Sequence, residues 1–196
     1  MPNTSTPLNF NFLPIYADQR LGILPHTVEF YSFDDPAPVY GNQNFSYMLT
    51  FLMENADRRD VIYHGETAYW IDFDISVPLF LPLYSFGRVR DLRLIRSEEM
   101  KQGKKMRGQI NFSSGWEWCY WLNDVIAARA SWNPYPDASD DLTAVAWIME
   151  DTLGPTFEVA TKPLANFLTN FIQSQRDLLI FGIVNGMVSI LSFKFD

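Results

Sequence analysis

The sequence predicts an α/β fold with parallel strands covered by helices. Short apolar runs rich in β-branched and aromatic residues alternate with longer segments of helical spacing. Polar turns of small residues separate them, and that alternation implies parallel pairing through crossover helices. At 196 residues, with 47% hydrophobic and 19% charged residues, the chain can bury a core of its own.

Residues 1–25 read as an irregular lead-in, spaced by Pro2, Pro7, Pro14 and Pro25, with a short strand over 10–15. Residues 26–33 (HTVEFYSF) read as the first strand, closed by the turn Asp34, Asp35, Pro36. Asn42 is placed to cap a helix over 43–56, where Phe45, Met48, Leu49, Leu52 and Met53 share a face. Residues 60–64 (DVIYH) give the second strand, ending in Gly65 and Glu66. Residues 67–75 fit a helical turn or a loop, and Pro78 and Pro82 argue against a regular strand over 77–83. A helix follows from 84–86 to Gln102, with Gly103 suited to its end.

The third strand spans 106–112 and breaks at Ser113, Ser114 and Gly115; a helix carrying Leu122, Val125, Ile126 and Arg129 comes next. Ser139 is the expected N-cap of a helix reaching Leu153, stopped by Gly154 and Pro155. Residues 163–175 give another helix. A fourth strand is expected over 178–184, ending in the turn Asn185–Gly186.

In parallel α/β folds, chemistry gathers at the C-terminal ends of the strands. The expected ends carry Asp34 and Asp35, then His64 and Glu66, then Ser113, Ser114 and Glu117, so each of the first three strands delivers an acid. Glu66 and Glu117 form the candidate catalytic pair. Two carboxylates across a glycosidic bond act as general acid and as nucleophile or base, and an aromatic wall raises one pKa by desolvation. Tyr69, Trp70, Trp116 and Trp118 are placed to stack on sugar rings. Asp34, Asp35 and His64 are candidates for the substrate's hydroxyls, with Asp72 and Asp74 of lower rank. Each signal has a plainer reading. An acid at a helix start suits the dipole, Asp-Asp-Pro is good turn chemistry, and crowded indoles are often core.

Other classes are disfavoured. A net charge of −8 opposes nucleic acid and anionic membrane surfaces as partners. The basic residues Arg88, Arg90, Arg93, Arg96, Lys101, Lys104, Lys105 and Arg107 interleave with Asp91, Glu98 and Glu99, as on a solvated helix face. Cys119 is the only cysteine, so no intramolecular disulfide forms. His26 and His64 show no metal-ligand spacing, and no phosphate-binding glycine motif is present, so neither a metal nor a cofactor is expected. A triad of Ser113 or Ser114 with His64 lacks the GxSxG context. The N-terminus shows no secretory pattern, which makes the cytoplasm the expected compartment.

Acids at strand ends, in the contexts ETAYW and SGWEW over roughly residues 27–132, resemble carbohydrate-active enzymes of the (β/α)-barrel type. The resemblance rests on pattern and matches no specific family. It implies a (β/α) barrel or partial barrel, a glycoside hydrolase-like activity on carbohydrate, and Glu66 and Glu117 as its carboxylates. The chain departs from it in size, since a complete barrel needs about 250 residues and eight strands. An incomplete barrel would leave edges open to self-association. The alternatives are a non-catalytic binding or interaction module, and a truncated, inactive relative of a larger enzyme.

Overall fold

The computed structural model describes residues 10–41, 43–69, 79–113, 117–184 and 187–188. A 3₁₀ helix, Phe10–Tyr16, leads in, and a second, Pro38–Tyr40, precedes α1 (Ser46–Asn55). Strand β1 (Ile62–Glu66), helix α2 (Leu83–Gln102), strand β2 (Gly108–Phe112) and helix α3 (Glu117–Trp132) follow. Helix α4 (Asp141–Phe157), a 3₁₀ turn (Glu158–Ala160) and helix α5 (Thr161–Leu179) then run on with no strand between them. The two-residue strands β3 (Ile183–Val184) and β4 (Met187–Val188) come last.

The expected barrel, complete or partial, is overturned. The only parallel sheet among the described residues is β1 with β2, in the register Ile62 opposite Gly108 to Glu66 opposite Phe112. The chain is mixed α and β, and its C-terminal half packs helix on helix. The expected fourth parallel strand over 178–184 begins as the last two residues of α5 and passes through a turn, and only β3 remains of it, paired antiparallel with β4. The turn Asn185–Gly186 lies outside the described residues, as do residues 1–9, the expected cap Asn42, residues 70–78, residues 114–116 with Ser114 and Gly115, and residues 189–196.

The expected first strand is displaced and interrupted. Residues 23–27 run parallel to β1: Ile23 N donates to Asp60 O, Ile62 N to Ile23 O, His64 N to Pro25 O and Thr27 N to His64 O, all at 2.9–3.0 Å. Pro25 has no N–H for the next acceptor, so the ladder reduces to bridges at Ile23 and His26. Beyond Thr27 the chain turns, because Glu29 takes a positive φ of 53°. Residues 10–15 form a 3₁₀ helix and not a strand.

Helix α2 is the centre of the molecule, packing against α1, α3, α4, α5 and β1. Its first half is buried through Leu92, and Gly103 closes it in the left-handed conformation at φ 67°. Arg88 corrects the expectation of a solvated basic face, since its side chain is fully buried against Asp91 at 3.0 Å. Arg90 and Arg93 reach Asp141 and tie α2 to the start of α4. The N-cap of α4 is Asp140, one residue past the expected Ser139, and its carboxylate accepts from Thr143 N at 2.8 Å. That helix passes Gly154 and Pro155 to end where Glu158 adopts a positive φ of 44°.

Helices cover one face of the parallel ribbon. Tyr63 and Gly65 point to α2, with the Tyr63 hydroxyl donating to Asp91 Oδ2 at 2.5 Å. The alternate residues Ile62, His64 and Glu66, with Ile110 beside them, form the other face. Ile110 is 49% exposed there, although parallel sheets are normally covered on both sides.

Candidate active site

The C-terminal end of the ribbon brings together two glutamates and two histidines. Glu66 ends β1 with only 5% of its surface exposed. Its Oε2 accepts from the Glu29 backbone N–H at 2.6 Å. Its Oε1 lies 3.0 Å from His26 Nε2, at ion-pair distance but not aligned for a hydrogen bond. The bridge between His26 and His64 sets their rings 4.7 Å apart, tilted by 31°. Burial lowers the His64 pKa, and the neighbouring His26 lowers it further against the pull of Glu66.

Glu29 is the residue sequence reasoning missed. Its carboxyl is pushed up to about 7, first by burial and then by the charge of Glu66. Near neutral pH this half-buried acid keeps a large share of its proton. Its signal in HTVEFYSF is that of an ordinary polar position in an alternating strand. The left-handed backbone that turns it towards Glu66 has no sequence mark.

Arg88 holds this corner from below. It donates to Glu66 O at 2.9 Å and to Tyr31 O at 2.7 Å, so one guanidinium pins both segments. Burial pushes the Asp91 carboxyl up, opposed by Arg88, the Tyr63 hydroxyl and the Phe33 N–H. Close packing enforces the arrangement: a Cβ on Gly65 would meet Arg88 Cδ at 2.7 Å, and one on Gly87 would meet Phe30 O at 2.5 Å. Tyr31, Tyr40 and Tyr84 sit within electrostatic range of Glu29, and Tyr69 within range of Tyr31 and Tyr40. Burial raises the phenols of Tyr31, Tyr40 and Tyr84, with Glu29 adding to each.

The expected site is brought together only in part. Glu66, His64 and Tyr69 lie at this end of the ribbon. Asp34 and Asp35 do not join them. Asp34 accepts from Arg90 Nε and Nη2, both at 2.7 Å. Asp35 is buried and accepts from Arg176 Nη1 at 2.9 Å and Nη2 at 2.5 Å. Both are ties to helices, as turn chemistry suggests. Glu117 opens α3, but its side chain lies outside the description, and Trp70, Trp116, Asp72 and Asp74 lie outside the described residues. Trp118 stands 92% exposed on α3.

A comparison with protein-family models matches none to this chain, and neither the curated proteins nor the solved structures give a match. The site is therefore read from its own geometry.

Ser113 donates from Oγ to Asp124 Oδ2 at 2.7 Å, and Thr67 Oγ1 donates to Asp124 Oδ1 at 2.5 Å. Asp124 thus clamps the exits of β1 and β2 together. Among the described residues Ser113 has an acid and no histidine as its partner, unlike the nucleophile of a triad. Among the described residues no group of three or more His, Cys, Asp or Glu is arranged to hold a metal ion. No helix among them is long and apolar enough to cross a membrane.

Proposed function

We propose that the chain is an acid–base catalyst of the glycoside hydrolase type, acting on carbohydrate with Glu29 and Glu66 as its carboxylate pair. The observation that carries this reading is the proton-bearing acid Glu29 beside the fixed carboxylate of Glu66. A pair with separated proton affinities divides the work. Protonated Glu29 donates its proton to the glycosidic oxygen as the bond to the anomeric carbon breaks. Glu66 stabilises that carbon, either by attacking it or by taking a proton from the incoming water. The Glu29 backbone N–H, bonded to Glu66 Oε2, orients the carboxylate, and His26 stands beside Oε1. Of the nearby tyrosines, Tyr31 and Tyr84 are buried, and Tyr40, 45% exposed, offers a flat apolar face for a sugar ring and a hydroxyl for its edge.

The full chain is assayed on a panel of oligosaccharides by release of reducing ends. On the substrate found, Glu29→Gln and Glu66→Gln each lower kcat by about 100-fold or more, the usual reach of positioned acid–base groups. Wild-type turnover in both variants rejects the pair.

A second reading has its own support. Both oxygens of Glu66 are already engaged and the group is nearly buried, which suits a structural staple in a non-catalytic binding module. That reading requires saturable sugar binding with no turnover in the wild-type chain.

A further inference from the structure

We propose that a cleft at the opposite, N-terminal end of the parallel ribbon binds a small phosphorylated molecule. The cleft holds ≈ 500 Å³ between the turn after α1 and the segment entering β2. That volume is ordinary for a small-molecule site. Asp57, Arg58, Arg59, Asp60, Lys105 and Arg107 line it.

The charges do not cancel. Asp57 is paired with Lys104 Nζ at 3.2 Å, and Asp60 accepts from Arg107 Nε at 2.6 Å. Both acids of the lining are thereby neutralised. Arg58, Arg59 and Lys105 have no acid within ion-pair distance among the described residues. The Arg59 field does reach Asp18, but that carboxylate is held by Arg20 at 2.8 Å. A cationic surplus on a chain of net charge −8 runs against the field of the whole molecule, which marks the cleft as locally specialised.

Arg59 adds the second observation. Only 9% of it is exposed. Its Nη1 donates to Pro14 O at 3.1 Å, and its Nη2 faces Ile15 O and Ala17 O at 3.3 and 3.4 Å, closing the first 3₁₀ helix. Its Nε–H is buried with no acceptor. A buried, charged donor without a partner is unfavourable and rare in folded proteins. Held by those three carbonyls, the guanidinium fixes a positive charge at the wall of the cleft while its Nε stays out of reach of solvent.

Three uncompensated cations suit a phosphoryl group better than a single carboxylate. Phosphate carries up to two charges and presents three terminal oxygens, and guanidinium and ammonium donors bind it through charge-assisted hydrogen bonds. The site lies at the far end of the strands from Glu29 and Glu66, so it stands or falls independently of the carbohydrate reading.

The test is a titration of the full chain with inorganic phosphate and pyrophosphate at constant ionic strength. Calorimetry gives the affinity, and amide NMR shifts at residues 56–60 and 105–107 give the location. Saturable binding with shifts confined to those residues is expected. Arg58→Ala and Lys105→Ala remove exposed side chains and each weaken binding by about tenfold, with saturation lost in the double variant. Their melting temperatures without phosphate stay at the wild-type value. Absence of saturation in the wild-type chain overturns the proposal, as does undiminished binding by the double variant. Citrate is the carboxylate arm, and tighter binding of citrate than of pyrophosphate overturns the phosphoryl assignment.

Discussion

At Glu29 a left-handed backbone coincides with a half-buried carboxyl beside a second carboxylate. The proton this group holds ties stability to pH. Its folded pKa of about 7 exceeds the ordinary glutamate value of 4.5, so the native state binds more protons between those limits. Its contribution to stability therefore falls as pH rises through that window. Solvent screening of a half-buried group reduces the effect to about 1–2 kcal/mol. Urea unfolding at pH 5 and at pH 7.5 checks the sign. Glu29→Gln removes this slope, and an unchanged slope in that variant means that other groups carry it. Sequence placed Glu66 at a strand end because VIYHGE reads as a strand meeting a glycine turn. It could not place Glu29, whose role depends on a φ of 53° and on a carboxylate 37 positions away. Asp34 and Asp35 show the reverse: their turn chemistry was legible, but no strand precedes them, and their arginine partners on α2 and α5 were not legible.

Helix α2 is the element through which local sequence becomes site geometry. Gly87 lets it approach the 29–33 turn, and a Cβ there would sit 2.5 Å from Phe30 O, a backbone atom that cannot swing aside. Gly87→Ala therefore displaces the turn that carries Glu29. A loss of about 1–3 kcal/mol is expected from overpacking, even though alanine favours helix. Denaturant midpoints measure it, and a stabilised variant would show that the turn yields freely. The boundaries of α2 were largely readable, from the breaker Pro82 to Gly103. Its buried face was not. Arg88 and Asp91 fit the spacing of a solvated ion pair, yet both are fully enclosed and serve Glu66, Tyr31, Phe33 and Tyr63. Periodicity sorts residues by face, and a charge that belongs inside is misfiled by it.

The whole molecule has an uneven shape of protection. Helices α2 to α5 pack on one another on one side, and the parallel ribbon stands open on the other, with His26, His64 and Ile110 partly in solvent. A parallel α/β fold was inferred from strand and helix alternation, and a barrel from the acids at the expected strand ends over roughly residues 27–132. Only the unit β1, α2, β2 realises that alternation, since the expected strand over 26–33 does not form and α3, α4 and α5 follow β2 without strands between them. Local pattern could not announce where strands would cease, because amphipathic helices pack equally well on a sheet or on each other. The open face makes ligand binding visible as added stability. Native-state binding of an oligosaccharide at 100 times its Kd contributes about 2.7 kcal/mol. For a chain of this length that corresponds to a rise in Tm of roughly 5–10 °C. If Glu29 serves as the proton donor and not as a binding anchor, Glu29→Gln keeps that rise while losing turnover. A rise lost together with turnover would assign Glu29 to binding. A melt that no sugar shifts, in the wild-type chain as in the variant, would turn the carboxylate pair back into a structural staple between the 29–33 turn and β1.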